Sequence, residues 1–323
     1  MSERKRVLIT GASSGVGVAA AEQFALAGYD VALLARSQDG LEKAAIPVRE
    51  AGCKALVVQA DVTDRERLAE VVEEVEEAFG GLGAVVLNAA LTIYGPFKDV
   101  PAEDFDRVID VSFMGAVNVT RATLPLLERS AGVLASVGSL NARVPLPAWS
   151  SYAASKHATR GFLNTLSVEL QAQGSGVRVA QLHPGPINTP VWEQTASAVG
   201  HLPRRPPDGY PPEQVAEALV KLVAKPRAEV LFGAEAIGVD RLWSTVRPAG
   251  DLMLAMVYHW FQSGKRPEES DIDALREAVG KGVSRDGLLQ RPSVTAAVRG
   301  LAGIGTGALR APAFLKALGS GGR

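Results

Sequence analysis

The sequence has almost no cysteine and no long apolar run. Of its 323 residues only Cys53 is a cysteine, which excludes an intrachain disulfide framework and suits a reducing cytosol. We interpret Cys53 as a small buried thiol. No segment reaches the roughly 18 consecutive apolar residues of a membrane span, and glycine interrupts the first apolar run after four residues, too soon for a signal peptide. We therefore expect a cytoplasmic protein without a membrane span.

An excess of charge of either sign is also missing. The 34 Lys and Arg residues are balanced by 35 Asp and Glu residues, for a net charge of -1. Such a chain offers no overall field to attract nucleic acid or an anionic membrane. His183, His201 and Cys53 have no coordinating cluster around them in the sequence, so no metal site is predicted.

Short β-branched runs alternate with longer helical patterns from residue 5 to about residue 233. Seven runs are strand candidates: 6–10, 30–35, 54–60, 83–89, 132–137, 176–182 and 229–233. Nearly continuous apolar strands separated by helices indicate a parallel sheet covered on both faces. The sequence thus predicts an α/β fold, a Rossmann-type doubly wound sheet of about seven strands, with ligands beyond the carboxyl ends of the strands.

The alternation stops after residue 233, and helical patterns follow at 236–248, 251–264 and 271–282. We expect three parts: a Rossmann-type domain at 1–235, a mainly helical C-terminal extension at 236–302 and a flexible tail at 303–323. The tail has few large apolar groups to offset the entropy of ordering. The apolar run at 252–261 is interpreted as a buried or partner-facing helix, with peripheral membrane contact as an alternative.

The segment TGASSGVG, residues 10–17, follows the first strand and opens the first long helix. Glycines let backbone amides approach a pyrophosphate, and a helix N-terminus favours its negative charge. At the end of the second strand, Ala35 stands where a NAD site would have an acidic residue, and Arg36 follows it. We therefore predict NADP(H) rather than NAD(H). The alternatives are a solvent-facing Arg36, or Asp39 restoring NAD binding.

Polar residues also follow the third and fourth strands. Asp61 could accept a hydrogen bond from an adenine amino group, or it could cap the following helix, as Thr63 or Asp64 equally could. Asn88, in LNAA, has small neighbours that would let a cofactor lie against the backbone. Both residues extend the predicted nucleotide site along the sheet edge.

A tyrosine and a lysine lie four residues apart at Tyr152 and Lys156, a spacing that places them on one helix face. A free phenol has a pKa of about 10, so its anion needs roughly 4 kcal/mol of stabilisation to form near pH 7. A lysine cation has the right sign to supply it. Ser139, at the end of the fifth strand, can face this helix, with Ser136 inside the strand as the alternative.

These elements occur in one order along the chain: TGASSGVG, the Asp61 turn, LNAA, Ser139, YAASK and HPGPINT. With them the chain resembles the short-chain dehydrogenase/reductase family over about residues 5–235. The resemblance implies an NADP(H)-dependent carbonyl reductase or alcohol dehydrogenase that needs no metal. Tyr152 would exchange a proton with the substrate oxygen, Ser139 would hydrogen-bond that oxygen, and Lys156 would hold the nicotinamide ribose and favour the tyrosinate.

The resemblance also implies a set of cofactor-binding residues along the strand ends. They are Gly11, Ser13, Ser14, Gly15, Val16, Gly17, Arg36, Asp61, Val62, Asn88, Ala89, Tyr152, Lys156, Pro184, Gly185, Ile187 and Thr189. Ser112 stands where the family commonly has an Asn that helps position a water near the lysine, so we count it with the catalytic residues. We expect retained but slower catalysis, and Asn118 is not expected to replace the missing Asn.

The segment from Thr189 to about residue 212 is rich in proline and glycine and predicts an irregular lid over the substrate. Leu146, Trp149 and Trp192 are candidates for an apolar pocket wall or for ordinary packing. Arg204 and Arg205 are interpreted as solvating the loop, with contact to an acidic substrate as the alternative.

Two function classes fit the sequence. The first is a reductase with a small-molecule carbonyl or alcohol substrate. The second is a non-catalytic NADP-binding sensor or scaffold that uses the C-terminal extension for partner contact. Family members are often dimers or tetramers, so the resemblance implies a homodimer or homotetramer formed through the helices flanking residues 105–128 and 152–172.

Overall fold

The apolar runs of the sequence form strands and the helical patterns between them form helices, in the predicted alternating order. In this computed structural model, residues 5–206, 209–262 and Leu275 are described. The strands within these residues are β1 Lys5–Thr10, β2 Tyr29–Ala35, β3 Ala55–Gln59, β4 Ala84–Leu87, β5 Ile93–Tyr94, β6 Val133–Val137, β7 Arg178–Pro184, β8 Ala196–Ser197 and β9 Glu229–Phe232. The helices are α1 Gly15–Leu26, α2 Gln38–Glu50, α3 Arg65–Phe79, α4 Ala102–Ile109, α5 Gly115–Ser130, α6 Ser150–Ala172, α7 Val191–Gln194, α8 Pro212–Ala224, α9 Ala234–Thr245 and α10 Arg247–Phe261.

Seven of these strands form one parallel sheet in the order β3-β2-β1-β4-β6-β7-β9. Side chains alternate across it, so Val7 and Ile9 pack on one face with Phe24 of α1, whereas Leu8 packs on the other face with Leu163 of α6. Helices cover both faces, which confirms the predicted doubly wound α/β fold. The strand order reverses between β1 and β4, and a ligand crevice is expected at the carboxyl ends there.

Each strand candidate from the sequence is present in the sheet, with ends shifted by a few residues. The structure adds a second, two-stranded parallel sheet of β5 and β8, in which Ile93 pairs with Ala196. Each of these strands has only two residues, which is too short to show any alternation of apolar and polar positions. This small sheet joins the chain after β4 to the segment predicted as a lid.

Local signals fix the ends of α3. The Asp64 side chain accepts a hydrogen bond from the Arg67 amide and caps the helix, and Gly80 ends it with φ of 72°. Its buried residues follow one another at intervals of three or four, so this face packs on the sheet; they are Leu68, Val71, Val75 and Phe79.

The C-terminal extension packs on the sheet domain in the part that is described. Ala236 of α9 and Leu254 of α10 form an apolar cluster with Leu140 and Val144, which follow β6. The predicted helical pattern at 271–282, Leu275 excepted, and the predicted tail at 303–323 lie outside the described residues. The division of the chain near residue 235 stays a prediction. No described helix combines the length and apolar character that crossing a membrane requires.

An ion-pair network ties the extension to the loop after β6. Arg143 donates to both carboxylate oxygens of Asp240 on α9, at 2.7 and 3.1 Å, and to Glu229 of β9 at 2.6 Å. The Asp240 side chain is only 10% exposed. Removing one partner of such a buried pair leaves the other charge poorly solvated.

We expect Asp240→Ala to lower the free energy of unfolding by about 2 kcal/mol, since Arg143 keeps Glu229 as its remaining partner. Urea unfolding at neutral pH measures this loss. The matched control is Asp251→Ala, because Asp251 pairs with Arg247 on the exposed face of α10 and should cost less than about 0.5 kcal/mol. Equal losses in the two variants would show that the buried network contributes nothing beyond a surface pair.

Candidate active site

The carboxyl ends of the parallel strands open into a cleft with a volume of about 380 Å³. Two sequence-predicted site residues, Gly17 and Ser112, do not line it. The others do: Gly11, Ser13, Ser14, Gly15, Val16, Arg36, Asp61, Val62, Asn88, Ala89, Ser139, Tyr152, Lys156, Pro184, Gly185, Ile187 and Thr189. Residues scattered over most of the sheet domain therefore meet in one place, because each lies at the carboxyl end of a strand of the same parallel sheet or in the loop or helix that follows it.

The glycine loop between β1 and α1 is shaped for close approach of another backbone or ligand. Gly11 has φ of 65°, and a Cβ there would lie 2.9 Å from the Ala89 Cα. A Cβ at Gly17 would overlap the carbonyl oxygen of Gly11, so α1 starts against the loop only with glycine at this position. The first turn of α1 has neither a side-chain cap nor an acidic residue. Its amides fit an anionic group such as a phosphate.

Thr10 and Asn88 brace the loop from below. The Thr10 hydroxyl accepts hydrogen bonds from the amides of Asn88 and Ala89, at 2.9 and 3.0 Å. The Asn88 side-chain amide donates to the carbonyls of Thr10 and Gly11, at 3.0 and 3.2 Å. Asn88 thus lines the cleft and also fixes the spacing between the ends of β1 and β4.

A charged cluster lies where β2 and β3 end. Asp61 accepts from the Thr63 amide and hydroxyl, at 2.9 and 2.8 Å, and from Arg107 at 2.7 Å. Burial alone would raise the pKa of Asp61, but these hydrogen bonds outweigh it and hold the pKa below its usual value. Asp64, rather than Asp61, caps α3. Arg36 lines the cleft nearby. Burial lowers the pKa of Arg36, and the negative charge of Asp61 acts in the opposite direction.

Tyr152 and Lys156 lie on the first turns of α6, as their spacing predicts. The Lys156 Nζ is 5.5 Å from the centre of the Tyr152 ring and donates to the carbonyl of Val137 at 3.0 Å. Lys156 is only 5% exposed, and burial lowers its pKa from 10.5 to about 8. At pH 7 it is therefore a buried cation beside the phenol.

The Ser139 side chain lies close enough to the Tyr152 phenol to lower its pKa. Burial has the larger effect and raises the pKa of Tyr152 to about 12. The sequence led us to expect a lowered tyrosine pKa, and the difference arises because apolar surroundings outweigh the neighbouring donors. The phenol is thus protonated at pH 7. Ser136, the alternative to Ser139, has a buried hydroxyl and does not line the cleft.

Ser112 lies in a π-helical turn, Asp110–Met114, between α4 and α5. Its hydroxyl accepts a hydrogen bond from the Leu91 amide at 2.9 Å and donates one to the Leu91 carbonyl at 3.0 Å. The backbone of Leu91 thus engages the hydroxyl both as an acceptor and as a donor. Ser112 and Thr159 line a small cavity of about 10 Å³ that also borders Lys156. A role for Ser112 in catalysis stays a prediction. Asn118 bonds elsewhere, to Arg65 and the Val62 carbonyl.

Beyond Tyr152 the cleft becomes apolar. Leu146, Trp149 and Trp192 line it, and so does Phe261, the last residue of α10. Arg204 and Arg205 do not line it. Among the described residues no group of three His, Cys, Asp or Glu side chains is placed to hold a metal ion. Cys53 is buried, and its thiol faces the Ala25 carbonyl at 3.4 Å.

The order of these elements and the sheet that carries them match a known family. The model of the short chain dehydrogenase family matches residues 5–200, which is more than half of the chain. The chain belongs to the short-chain dehydrogenase family. Short-chain dehydrogenases are oxidoreductases that act on small molecules, and the resemblance seen in the sequence is thereby confirmed.

Individual short-chain dehydrogenases resemble the chain over most of its length. An uncharacterized oxidoreductase of Bacillus subtilis, YxnA, is 31% identical over 280 residues, 86% of this chain and 79% of that protein. The dehydrogenase/reductase SDR family protein 7-like of Anopheles gambiae is 30% identical over 71% of this chain and 74% of its own. The structure of an alcohol dehydrogenase from Thermococcus sibiricus, complexed with 5-hydroxy-NADP, has a TM-score of 0.63 and 30% identity, and the match covers 71% of this chain and 95% of that one.

Three residues of this short-chain dehydrogenase were missed by sequence reasoning. Thr10 belongs to the glycine motif, but nothing in the sequence indicates that its hydroxyl binds the backbone amides that follow β4. Arg107 reaches Asp61 across 46 positions of sequence, and such pairings leave no local pattern. Phe261 belongs to a helix that was predicted, yet the helical pattern could not tell which neighbour its last turn meets.

Proposed function

We propose that this short-chain dehydrogenase is an NADP(H)-dependent reductase of ketones or aldehydes. The observation that carries the proposal is the meeting of Tyr152, Ser139 and Lys156 at one end of a cleft whose other end is the glycine loop. A reactive carbonyl at the phenol would then lie in the same cleft as a bound dinucleotide. The protonated state of Tyr152 at pH 7 favours reduction, because reduction needs a proton donor there.

In this mechanism, Tyr152 and Ser139 hydrogen-bond the carbonyl oxygen of the substrate. When bound, the dihydronicotinamide supplies a hydride to the carbonyl carbon. Tyr152 gives its phenolic proton to the oxygen as charge develops there, so the products are an alcohol and oxidised cofactor. The buried cation of Lys156 stabilises the phenolate left on Tyr152 until it is protonated again. Ser139, close to the phenol, fixes the position of the oxygen through its hydroxyl.

The residues that would hold the cofactor are those that line the cleft from Gly11 to Thr189. The glycine loop and the uncapped N-terminus of α1 suit the pyrophosphate. NADP is proposed over NAD because Ala35 leaves no carboxylate at the end of β2, whereas Arg36 lines the cleft at that point. Asp39 is exposed and does not line the cleft. The relative from Thermococcus sibiricus, which was complexed with 5-hydroxy-NADP, supports the same choice.

We expect Arg36→Ala to lower the preference for NADPH over NADH, measured as the ratio of the two kcat/KM values, by about 10- to 100-fold. This is the effect expected from losing one charged hydrogen bond to a phosphate. Steady-state kinetics with both cofactors measures the ratio. Arg121→Ala, at an exposed position of α5 away from the cleft, is the control and should leave it unchanged. An unchanged ratio in Arg36→Ala would remove Arg36 from cofactor selection.

The proposed function is tested by following NADPH oxidation against a panel of ketones and aldehydes. Turnover of at least one carbonyl compound, with loss of turnover in Tyr152→Phe, is the expected result. NADPH binding without turnover of any member of a broad panel would contradict the proposal and would favour the sensor or scaffold hypothesis instead.

A further inference from the structure

The end of the cleft beyond Tyr152 is bounded by Leu146, Trp149, Trp192 and Phe261, which we call the apolar wall. The Trp149 ring lies 6.1 Å from the Trp192 ring and 6.3 Å from the Phe261 ring, at interplanar angles of 87° and 76°. Trp149 and Phe261 are 6% and 4% exposed. Edge-to-face contacts of this kind position the rings firmly. Most of the surface of Trp149 and Phe261 is covered by these contacts, whereas the half-buried Trp192 and Leu146 have more surface uncovered.

Hydrogen bonds hold the apolar wall in place from outside. The Trp192 indole donates to the Ile187 carbonyl at 3.0 Å. The Phe261 carbonyl accepts from the Arg204 amide at 3.1 Å, and the neighbouring Gln262 side chain meets His201 at 3.2 Å. The end of α10 is thus fixed to the segment that follows β8, so Phe261 contributes to the shape of the cleft although the family match ends at residue 200.

No cation faces the apolar wall in the described part of the chain. The ionisable side chains that line the cleft are Arg36 and Asp61 at the nucleotide end, and Tyr152 and Lys156. Of the nearby arginines, Arg205 pairs with Glu193 at 2.7 Å, and the Arg204 guanidinium lies over the Trp260 ring at 5.3 Å. A carboxylate or phosphate on the substrate would therefore be desolvated here without a partner, which is strongly unfavourable.

On the basis of the proposed reductase activity, we propose that the substrate is an uncharged carbonyl compound with an aromatic or alicyclic group, and that Phe261 is a specificity-determining residue. The ring of the substrate packs against Trp149, Trp192 and Phe261 while its carbonyl oxygen reaches Tyr152 and Ser139. Selection comes from two sources. Apolar contact attracts the ring, and the described residues of the wall offer no cation to an anion.

The test uses two aromatic ketones that differ in the charge carried by the ring, methyl 4-acetylbenzoate and 4-acetylbenzoate, with NADPH at pH 7. We expect kcat/KM for the ester to exceed that for the acid by about a hundredfold or more, because the acid would place its carboxylate against the apolar wall. Equal values for the two compounds, or a preference for the acid, would overturn the proposal while leaving the reductase activity intact.

Phe261 is tested by substitution. Phe261→Ala should lower kcat/KM for methyl 4-acetylbenzoate by about tenfold or more, and Phe261→Leu, which keeps most of the apolar volume, by less. Leu252→Ala, at a 44% exposed position of the same helix, is the control and should leave it unchanged. Thermal melting shows which variants are folded. An unchanged kcat/KM in a folded Phe261→Ala would exclude Phe261 as a specificity residue.

A binding measurement separates this proposal from the proposed function. Methyl 4-acetylbenzoate is titrated into the enzyme with NADP⁺, with which the ketone cannot be reduced, while tryptophan fluorescence is followed. We expect saturable quenching that weakens about tenfold in Phe261→Ala and is absent with 4-acetylbenzoate. If no carbonyl compound is reduced, the proposed function fails, yet this titration still decides whether the apolar wall binds an uncharged ring. The absence of saturable binding would overturn the inference.

Discussion

Replacing Tyr152 by phenylalanine should lower kcat for carbonyl reduction by about 10³-fold, the usual contribution of a positioned general acid. The substitution removes only the hydroxyl, so the ring keeps its packing beside Trp149 and Leu146. The dissociation constant of NADPH should therefore change little. Stopped-flow or steady-state rates of NADPH oxidation, together with a fluorescence titration of NADPH, separate the two effects.

Tyr94→Phe is the matched control. The Tyr94 hydroxyl is buried and has no hydrogen-bond partner among the residues that the structure describes, and Tyr94 does not line the cleft. Its removal should leave kcat nearly unchanged. If Tyr152→Phe kept wild-type turnover, the proton would have to come from another group and the proposed mechanism would be wrong.

Lys156→Met should produce opposite changes in activity and stability. Loss of the buried cation should lower kcat by about 10²-fold, because the phenolate of Tyr152 loses its neighbouring charge. At pH 7 the free energy of unfolding should rise by roughly 2 kcal/mol, because a pKa lowered to about 8 means that the folded protein disfavours the charge. The lost hydrogen bond to the Val137 carbonyl offsets part of this gain.

The stability difference should depend on pH in a fixed direction. Between pH 8 and the unfolded lysine pKa of 10.5, the unfolded chain binds more protons at this site than the folded protein does. The wild type therefore gains stability through that window as pH rises. The advantage of Lys156→Met is largest below pH 8, shrinks between pH 8 and pH 10.5, and is lost above pH 10.5. Urea unfolding at several pH values measures the difference, with exposed Lys221→Met as control. A variant less stable than the wild type at pH 7 would contradict the account of Lys156.

The sheet could be predicted from sequence because its physical signals are local. Nearly every residue of β2 and β4 is apolar and buried, and the helices between the strands repeat every three to four residues. The contacts of β5 with β8 could not be predicted, because a two-residue strand carries no period. Its pairing is decided by the folding of the surrounding loops.

The meeting of Tyr152, Ser139 and Lys156 in one cleft also followed from sequence, since strand ends and a four-residue spacing fix their direction. The pKa of Tyr152 could not be predicted from the sequence. The neighbouring cation has the sign to lower the pKa of Tyr152, yet burial raises it to about 12, and burial is a property of the packed chain. Phe261 could not be found for a related reason: its place in the cleft depends on how α10 docks against distant segments.

Transfer of deuterium from NADPH that carries deuterium at both C4 positions tests the proposed reduction most directly. The enzyme is incubated with this cofactor and the best ketone of the panel, and the alcohol is analysed by mass spectrometry and NMR. We expect deuterium at the carbinol carbon of the wild-type product and no labelled product from Tyr152→Phe over the same time. An alcohol without deuterium, or label transfer at the wild-type rate by Tyr152→Phe, would contradict direct reduction with Tyr152 as the proton donor.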